Sequence, residues 1–111
     1  MKKETYVAFA SEKLREAYLK LKEGKFEEKQ LFLFLSRAIN DLKENPLCGI
    51  RISQKLIPEI YIKKYEITNL WKYNLPNAWR LLYSVSGNQI KIMSIILDWT
   101  SHKEYENKFR Y

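Results

Sequence analysis

At 111 residues, 46% hydrophobic and 30% charged, the chain has the size and composition of one globular domain (1–111), without the bias of a disordered segment or an apolar run long enough to span a membrane. Its net charge of +7 is uneven: residues 1–50 hold ten Lys/Arg against eight Asp/Glu, and residues 51–111 hold ten against five. The second half is therefore where an anionic partner, nucleic acid above all, is expected. A single cysteine, Cys48, excludes an internal disulfide and a cysteine-built metal cluster and is expected to be a packed, inert thiol. The opening MKKETY lacks the apolar segment of a secretory signal, which points to the cytoplasm.

Residues 4–9, ETYVAF, are aromatic and β-branched and predict an opening strand. Ser11 is a good N-cap for a helix over SEKLREAYLKLKEG, with Glu12 and Glu16 near its positive end and Gly24 as its stop. Leu14, Ala17, Tyr18 and Leu21 recur at helical spacing. A second helix is predicted from about Glu27 to Lys43, with Leu31, Leu35, Ala38 and Leu42 as its apolar stripe, widened by Phe32 and Ile39. Asn45-Pro46 ends it. Two antiparallel helices joined by a short connection form a hairpin that needs an apolar surface to cover.

The period then changes. Residues 47–68 read as irregular, with a short strand at Ile50–Ser53 and a turn around Pro58. Strands follow at Asn69–Leu75, Trp79–Val85 and Ile90–Trp99, the first two joined through Pro76-Asn77 and the last two through Ser86-Gly87-Asn88-Gln89. Ser101 caps a short C-terminal helix to about Phe109, with Glu104 at its third position. The fold class is α+β: an N-terminal strand and helical hairpin packed on one face of a mainly antiparallel four-stranded sheet, with a short C-terminal helix.

Pairing Val85 with Ile90 puts Trp79, Leu81, Tyr83 and Val85 on one face with Ile90, Ile92, Ser94 and Ile96, the face expected beneath the hairpin. Arg80, Leu82 and Ser84 then share the other face with Lys91, Met93 and Ile95. An arginine on a central strand needs a partner or solvent.

The run WRLLYSVSGNQIKIMSIILDWTSHKEY resembles the RelE/ParE toxin superfamily. An aromatic-Arg-hydrophobic-hydrophobic-Tyr strand (Trp79-Arg80-Leu81-Leu82-Tyr83) leads through a hairpin to an apolar strand, then to His102-Lys103 and Tyr105. The resemblance covers nearly the whole element order, including a helical hairpin that ends in Asn-Pro before a glycine. It implies a toxin of the RelE kind that cuts messenger RNA on the ribosome and is neutralised by a protein antitoxin. In that chemistry the ribose 2′-OH attacks the adjacent phosphate, so no metal or cofactor is required. A base, an acid and positive charge on the phosphorane are required.

The resemblance assigns the catalytic roles to Arg80, His102, Lys103, Tyr105 and Tyr111. Arg80 is the phosphate clamp, because a guanidinium offers paired donors and stays charged. The structural alternative is a salt bridge from Arg80 to Glu66 or Glu104. His102, the only histidine, suits proton transfer, and a helix places Tyr105 beside it. Tyr111 competes with Tyr105 as the acid. Lys72 joins Arg80 on one face if the turn between their strands has three or five residues, and faces away if it has two or four. Arg51, Lys55, Lys63, Lys64, Lys108 and Arg110 complete an electrostatic footing for RNA. Three other readings share this scaffold: a ParE-like gyrase-directed toxin, a non-catalytic RNA- or ribosome-binding module, and a protein-binding partner. The last uses an apolar patch of Leu82, Met93, Ile95 and Leu97 on an open sheet face.

Overall fold

The computed structural model describes residues 3–88 and 91–109. The chain opens with strand β1 (Glu4–Phe9), then helix α1 (Glu12–Lys20), a 3-10 turn (Leu21–Glu23) and helix α2 (Phe26–Glu44). Strand β2 (Ile50–Arg51), a second 3-10 turn (Gln54–Leu56) and helix α3 (Glu59–Tyr65) follow. Strand β3 (Trp71–Asn74) leads through a turn at Pro76–Ala78 to β4 (Arg80–Gly87), β5 (Lys91–Thr100) and helix α4 (His102–Phe109). No helix among the described residues is long and apolar enough to cross a membrane.

Local chemistry sets the helix ends. Ser11 is extended and its hydroxyl accepts from the Leu14 amide, closing the start of α1. At α4, Ser101 and Glu104 form the reciprocal pair: the Glu104 amide donates to the Ser101 hydroxyl, and the Ser101 amide donates to the Glu104 carboxylate. Asn45 caps the end of α2 just before Pro46. The buried stripe of α2 is Leu31, Leu35, Ala38 and Leu42, the four positions that helical spacing predicts.

The sheet has five strands in the order β1-β5-β4-β3-β2. β1 runs parallel to β5, and the other three pairings are antiparallel. The expected four-stranded sheet is therefore corrected to a mixed sheet of five, because Ile50–Arg51 pairs with Lys72 and Trp71 as an added edge. The register between β4 and β5 also differs from expectation. Val85 stands opposite Ser94, and Ile90, its expected partner, lies outside the described residues. The shift from residue 90 to 94 is even, so the face assignment survives it. A bulge between Leu82 and Tyr83 then brings Leu81 opposite Trp99 while Tyr83 stays opposite Ile96.

Two cores result. Under the hairpin, Leu31, Leu35, Ala38 and Leu42 meet Leu75, Leu81, Tyr83 and Ile96. On the opposite face Leu82 and Leu97 pack with Leu70, Ile52, Ile57, Tyr61 and Tyr105. That face is not open. Leu82 and Leu97 are buried under α3 and α4, which removes them from the expected apolar patch, although Met93 stays exposed. The segment 47–68, expected to be irregular, supplies part of this cover through α3.

Tyr83 ties the layers together. Fully buried, it donates to the Pro46 carbonyl (2.9 Å) and accepts from the Gly49 amide (3.1 Å), pinning the loop after α2 to the sheet. Gly49 is there because a side chain would collide: a Cβ would lie 2.5 Å from both the Lys72 carbonyl and the Tyr83 hydroxyl. Asn69 extends β3 by other means. Its amide donates to the Val85 carbonyl and its oxygen accepts from the Val85 amide, each at 2.9 Å, copying a strand residue with a side chain.

Burial pushes the Tyr83 phenol up to about 12. The unfolded chain therefore loses this proton near pH 10 while the folded chain keeps it. The stabilisation is complete below pH 10 and is lost as pH rises towards 12. Urea unfolding at pH 9 and pH 11.5 will show a loss of about 2 kcal/mol from this group, and Tyr83→Phe will reduce the slope by that share, the rest belonging to Tyr61 and Tyr73, whose phenols are also held up; an unchanged slope in the variant would exclude Tyr83 as a source. In the β3–β4 turn, Asn77 and Ala78 both take φ 61°. A left-handed alanine is disfavoured by about 1–2 kcal/mol, so Ala78→Gly will raise stability by about 0.5–1 kcal/mol after the entropy of glycine is counted. A lower urea midpoint for this variant would be incompatible with the turn described.

Candidate nucleic-acid interface

Five residues, 75–79, separate β3 from β4, and Lys72 pairs with Leu82 while Asn74 pairs with Arg80. Lys72 and Arg80 therefore share a face, the outcome expected for an odd turn. Arg80 is the first residue of β4, where the cover of the second face thins, and it is half-buried.

Both cations converge on one ring. The Arg80 guanidinium carbon lies 4.5 Å from the Tyr105 ring centroid and the Lys72 ammonium 5.2 Å from it. Tyr105 itself is buried, stacked on Phe109 at 4.2 Å, so it forms the floor beneath the cations. Arg80 Nη1 donates to the Ala78 carbonyl at 2.6 Å, and neither cation forms an ion pair with a carboxylate among the described residues. The salt bridge from Arg80 to Glu66 or Glu104 is not formed. Two cations over one aromatic ring, each attraction contributing about 0.5–2 kcal/mol, leave positive charge uncompensated by a carboxylate. This arrangement suits a phosphate oxygen.

Two buried polar atoms at this place have no hydrogen-bond partner among the described residues: Arg80 Nε and Thr100 Oγ1. Thr100 stands opposite Arg80 in the β4–β5 register and is fully buried. Sequence reasoning passed over Thr100, because a threonine at a strand end carries no distinctive signal. It also passed over the Ala78 carbonyl, since alanine is a poor candidate for a left-handed turn.

The other expected site residues are dispersed. His102, the first residue of α4, is exposed, and its Nε2 meets the Glu106 carboxylate one turn on. It is turned to its own helix, and no hydrogen bond joins it to Arg80 among the described residues. Lys103 is exposed in the same turn. Lys108 is held by Asp98 at 2.8 Å, which ties it into the fold. Arg51 pairs with Trp71, which packs under the hairpin, so it lies on the face opposite Lys72. Lys55 is exposed, Lys63 pairs with Glu59 at 3.2 Å, and Lys64 lies over the Tyr65 ring. Arg110 and Tyr111 lie outside the described residues. Cys48, expected to be packed, is exposed on the loop after α2.

Asp98 is the clasp of this face. Its Oδ2 accepts from the Tyr61 hydroxyl (2.9 Å) on α3 and from Lys108 Nζ (2.8 Å) on α4. Burial and the neighbouring Asp98 carboxylate push the Tyr61 phenol well above the ordinary tyrosine range, so it stays a donor. Asp98 thereby fixes the helix that carries Tyr105. Comparison with protein-family models, curated proteins and solved structures finds no match to this chain.

Asp98→Ala leaves the Tyr61 hydroxyl and the Lys108 ammonium without their acceptor, at a cost of about 2 kcal/mol. Amide hydrogen exchange will quicken through α4 and α3 while β4 stays protected. Equal loss of protection in all three would disprove a local clasp.

Proposed function

We propose that the chain is a toxin of the RelE kind, which cuts messenger RNA on the ribosome by 2′-OH attack. The observation that carries this reading is the pair of uncompensated cations, Arg80 and Lys72, seated on Tyr105. In the phosphorane the non-bridging oxygens gain negative charge, and prearranged cations stabilise that charge more than they stabilise the bound substrate. Proton transfer falls to His102, three residues before Tyr105 on α4, and requires its ring to leave Glu106 and turn toward Arg80. Tyr105 supports the cations as a platform. A protein antitoxin and a cytoplasmic setting belong to the same reading.

A second reading has its own support: Tyr105 is buried and His102 is engaged by Glu106, as in a module that binds ribosomal or messenger RNA without cutting it. The two separate in one experiment, messenger cleavage on translating ribosomes with binding measured in parallel. On the nuclease reading wild type cuts, and Arg80→Ala loses about 100-fold or more. His102→Ala loses about 100- to 10,000-fold. Lys72→Ala weakens RNA binding and lowers the salt slope by about one unit. Binding without cleavage by folded wild type selects the second reading. Absence of both removes Arg80 and Lys72 as an RNA site.

A further inference from the structure

The opposite face of the sheet carries a second feature that the RNA reading does not use. A cleft of about 590 Å³ opens between the start of α2 and the strand ends that hold Trp79 and Trp99. That size falls within the range of ordinary ligand sites, about 300–1,000 Å³. Phe26 and Phe34 from α2 line it together with the two indoles and with Asn77 of the β3–β4 turn. None of these four aromatic residues is fully buried, and Phe26 is 73% exposed. Phe26 is the most exposed large apolar side chain among the described residues, and it lies at the cleft rather than apart from other apolar groups.

The charge of the cleft is the reverse of the chain's. Its charged lining residues are both glutamates, Glu27 and Glu28, on a protein of net charge +7. Glu28 is committed to its own helix: its carboxylate accepts from the Lys25 amide and lies against Gly24. Glu27 is exposed and forms no ion pair among the described residues. Aromatic walls with an uncommitted carboxylate at the rim select a cation with an apolar body. A guanidinium meets both demands, since it stacks on an indole and offers paired donors to a carboxylate. An ammonium is more strongly hydrated and gains less from stacking. Nucleic acid and anionic lipid are disfavoured here by repulsion from the two carboxylates.

We infer that this cleft binds a basic peptide segment of a protein partner, one that inserts an arginine between the rings and packs an adjacent apolar side chain on Phe26. The surface is separate from the Arg80 face, because Leu81 and Trp99 belong to the hairpin side of β4 and β5. The inference therefore stands or falls independently of RNA binding.

The three tryptophans provide the test, since Trp79 and Trp99 line the cleft and Trp71 does not. The full chain, labelled with ¹⁵N, is titrated with the blocked peptide acetyl-Leu-Arg-Leu-Leu-amide while the three indole N–H resonances are followed. The indoles of Trp79 and Trp99 are expected to shift saturably while that of Trp71 stays in place. Replacing arginine by the neutral isostere citrulline abolishes the shift, and lysine in its place weakens binding by about fivefold. Glu27→Gln weakens it by about three- to tenfold, and Phe26→Ala by about tenfold. Phe26 is too exposed for its loss to threaten the fold. Equal binding of the citrulline peptide, or no saturable shift, overturns the inference. So does a short oligouridylate that moves the same indoles, or indole shifts that follow protein concentration alone, which would mean that a second copy fills the cleft.

Discussion

The structure depends on β4 being buried on both faces. Leu81 and Tyr83 are fully covered on one side, and Leu82 and Ser84 are covered on the other. A strand of this kind needs two separate lids, and burial of a Leu or Tyr side chain contributes about 1.5–3 kcal/mol only where a lid is present. The helical hairpin is the first lid. The second is assembled from short pieces: α3, α4 and the segment leading from β2, held by Asp98 through Tyr61 and Lys108. Arg80 sits where β4 begins and the second lid runs out. It is half-buried, shielded enough for its cation to gain strength from Tyr105 and still partly exposed to solvent.

Much of the first lid is visible in the order of residues because it is built from local signals. Ser11, Gly24 and Asn45-Pro46 mark helix ends by their own backbone chemistry, and the stripe of α2 repeats over nineteen residues. The second lid lacks such signals. α3 spans seven residues, about two turns, too short for a period to declare itself, and it begins directly after Pro58 without a side-chain cap. β2 is a strand only by virtue of its partner, since two residues carry no alternation. The β4–β5 register depends on a bulge that hydrophobic pattern does not encode, because Ile95, Ile96 and Leu97 are all apolar and any of them reads as inward.

The same division separates the site residues. Arg80 stands out in sequence because a charge on a central strand demands an explanation. Lys72 joins it only once the turn length is known, since one residue more or fewer turns the side chain to the other face. Lys108 reads as a surface cation along the chain, yet it is spent on Asp98. The excess charge of the second half is thus partly structural, and the uncompensated part that the fold concentrates is the Arg80–Lys72 pair. His102 has the chemistry for proton transfer, but position on a helix decides its neighbour, and four residues on from it is Glu106.

Local rules are broken where Arg80 is fixed. Asn77 and Ala78 take the left-handed region in succession, a costly choice for alanine, and the carbonyl so presented receives Arg80 Nη1. Arg80 Nε and Thr100 Oγ1 stay buried without partners there, at about 1–3 kcal/mol each, while the third such atom, Ser94 Oγ, lies on the hairpin face. A glycine at position 78 and a valine at position 100 would relieve the turn and the threonine, though not Arg80 Nε. That cheaper arrangements exist nearby argues that the turn is held for what it does to the guanidinium. It fixes one nitrogen on a carbonyl and seats the guanidinium over a ring.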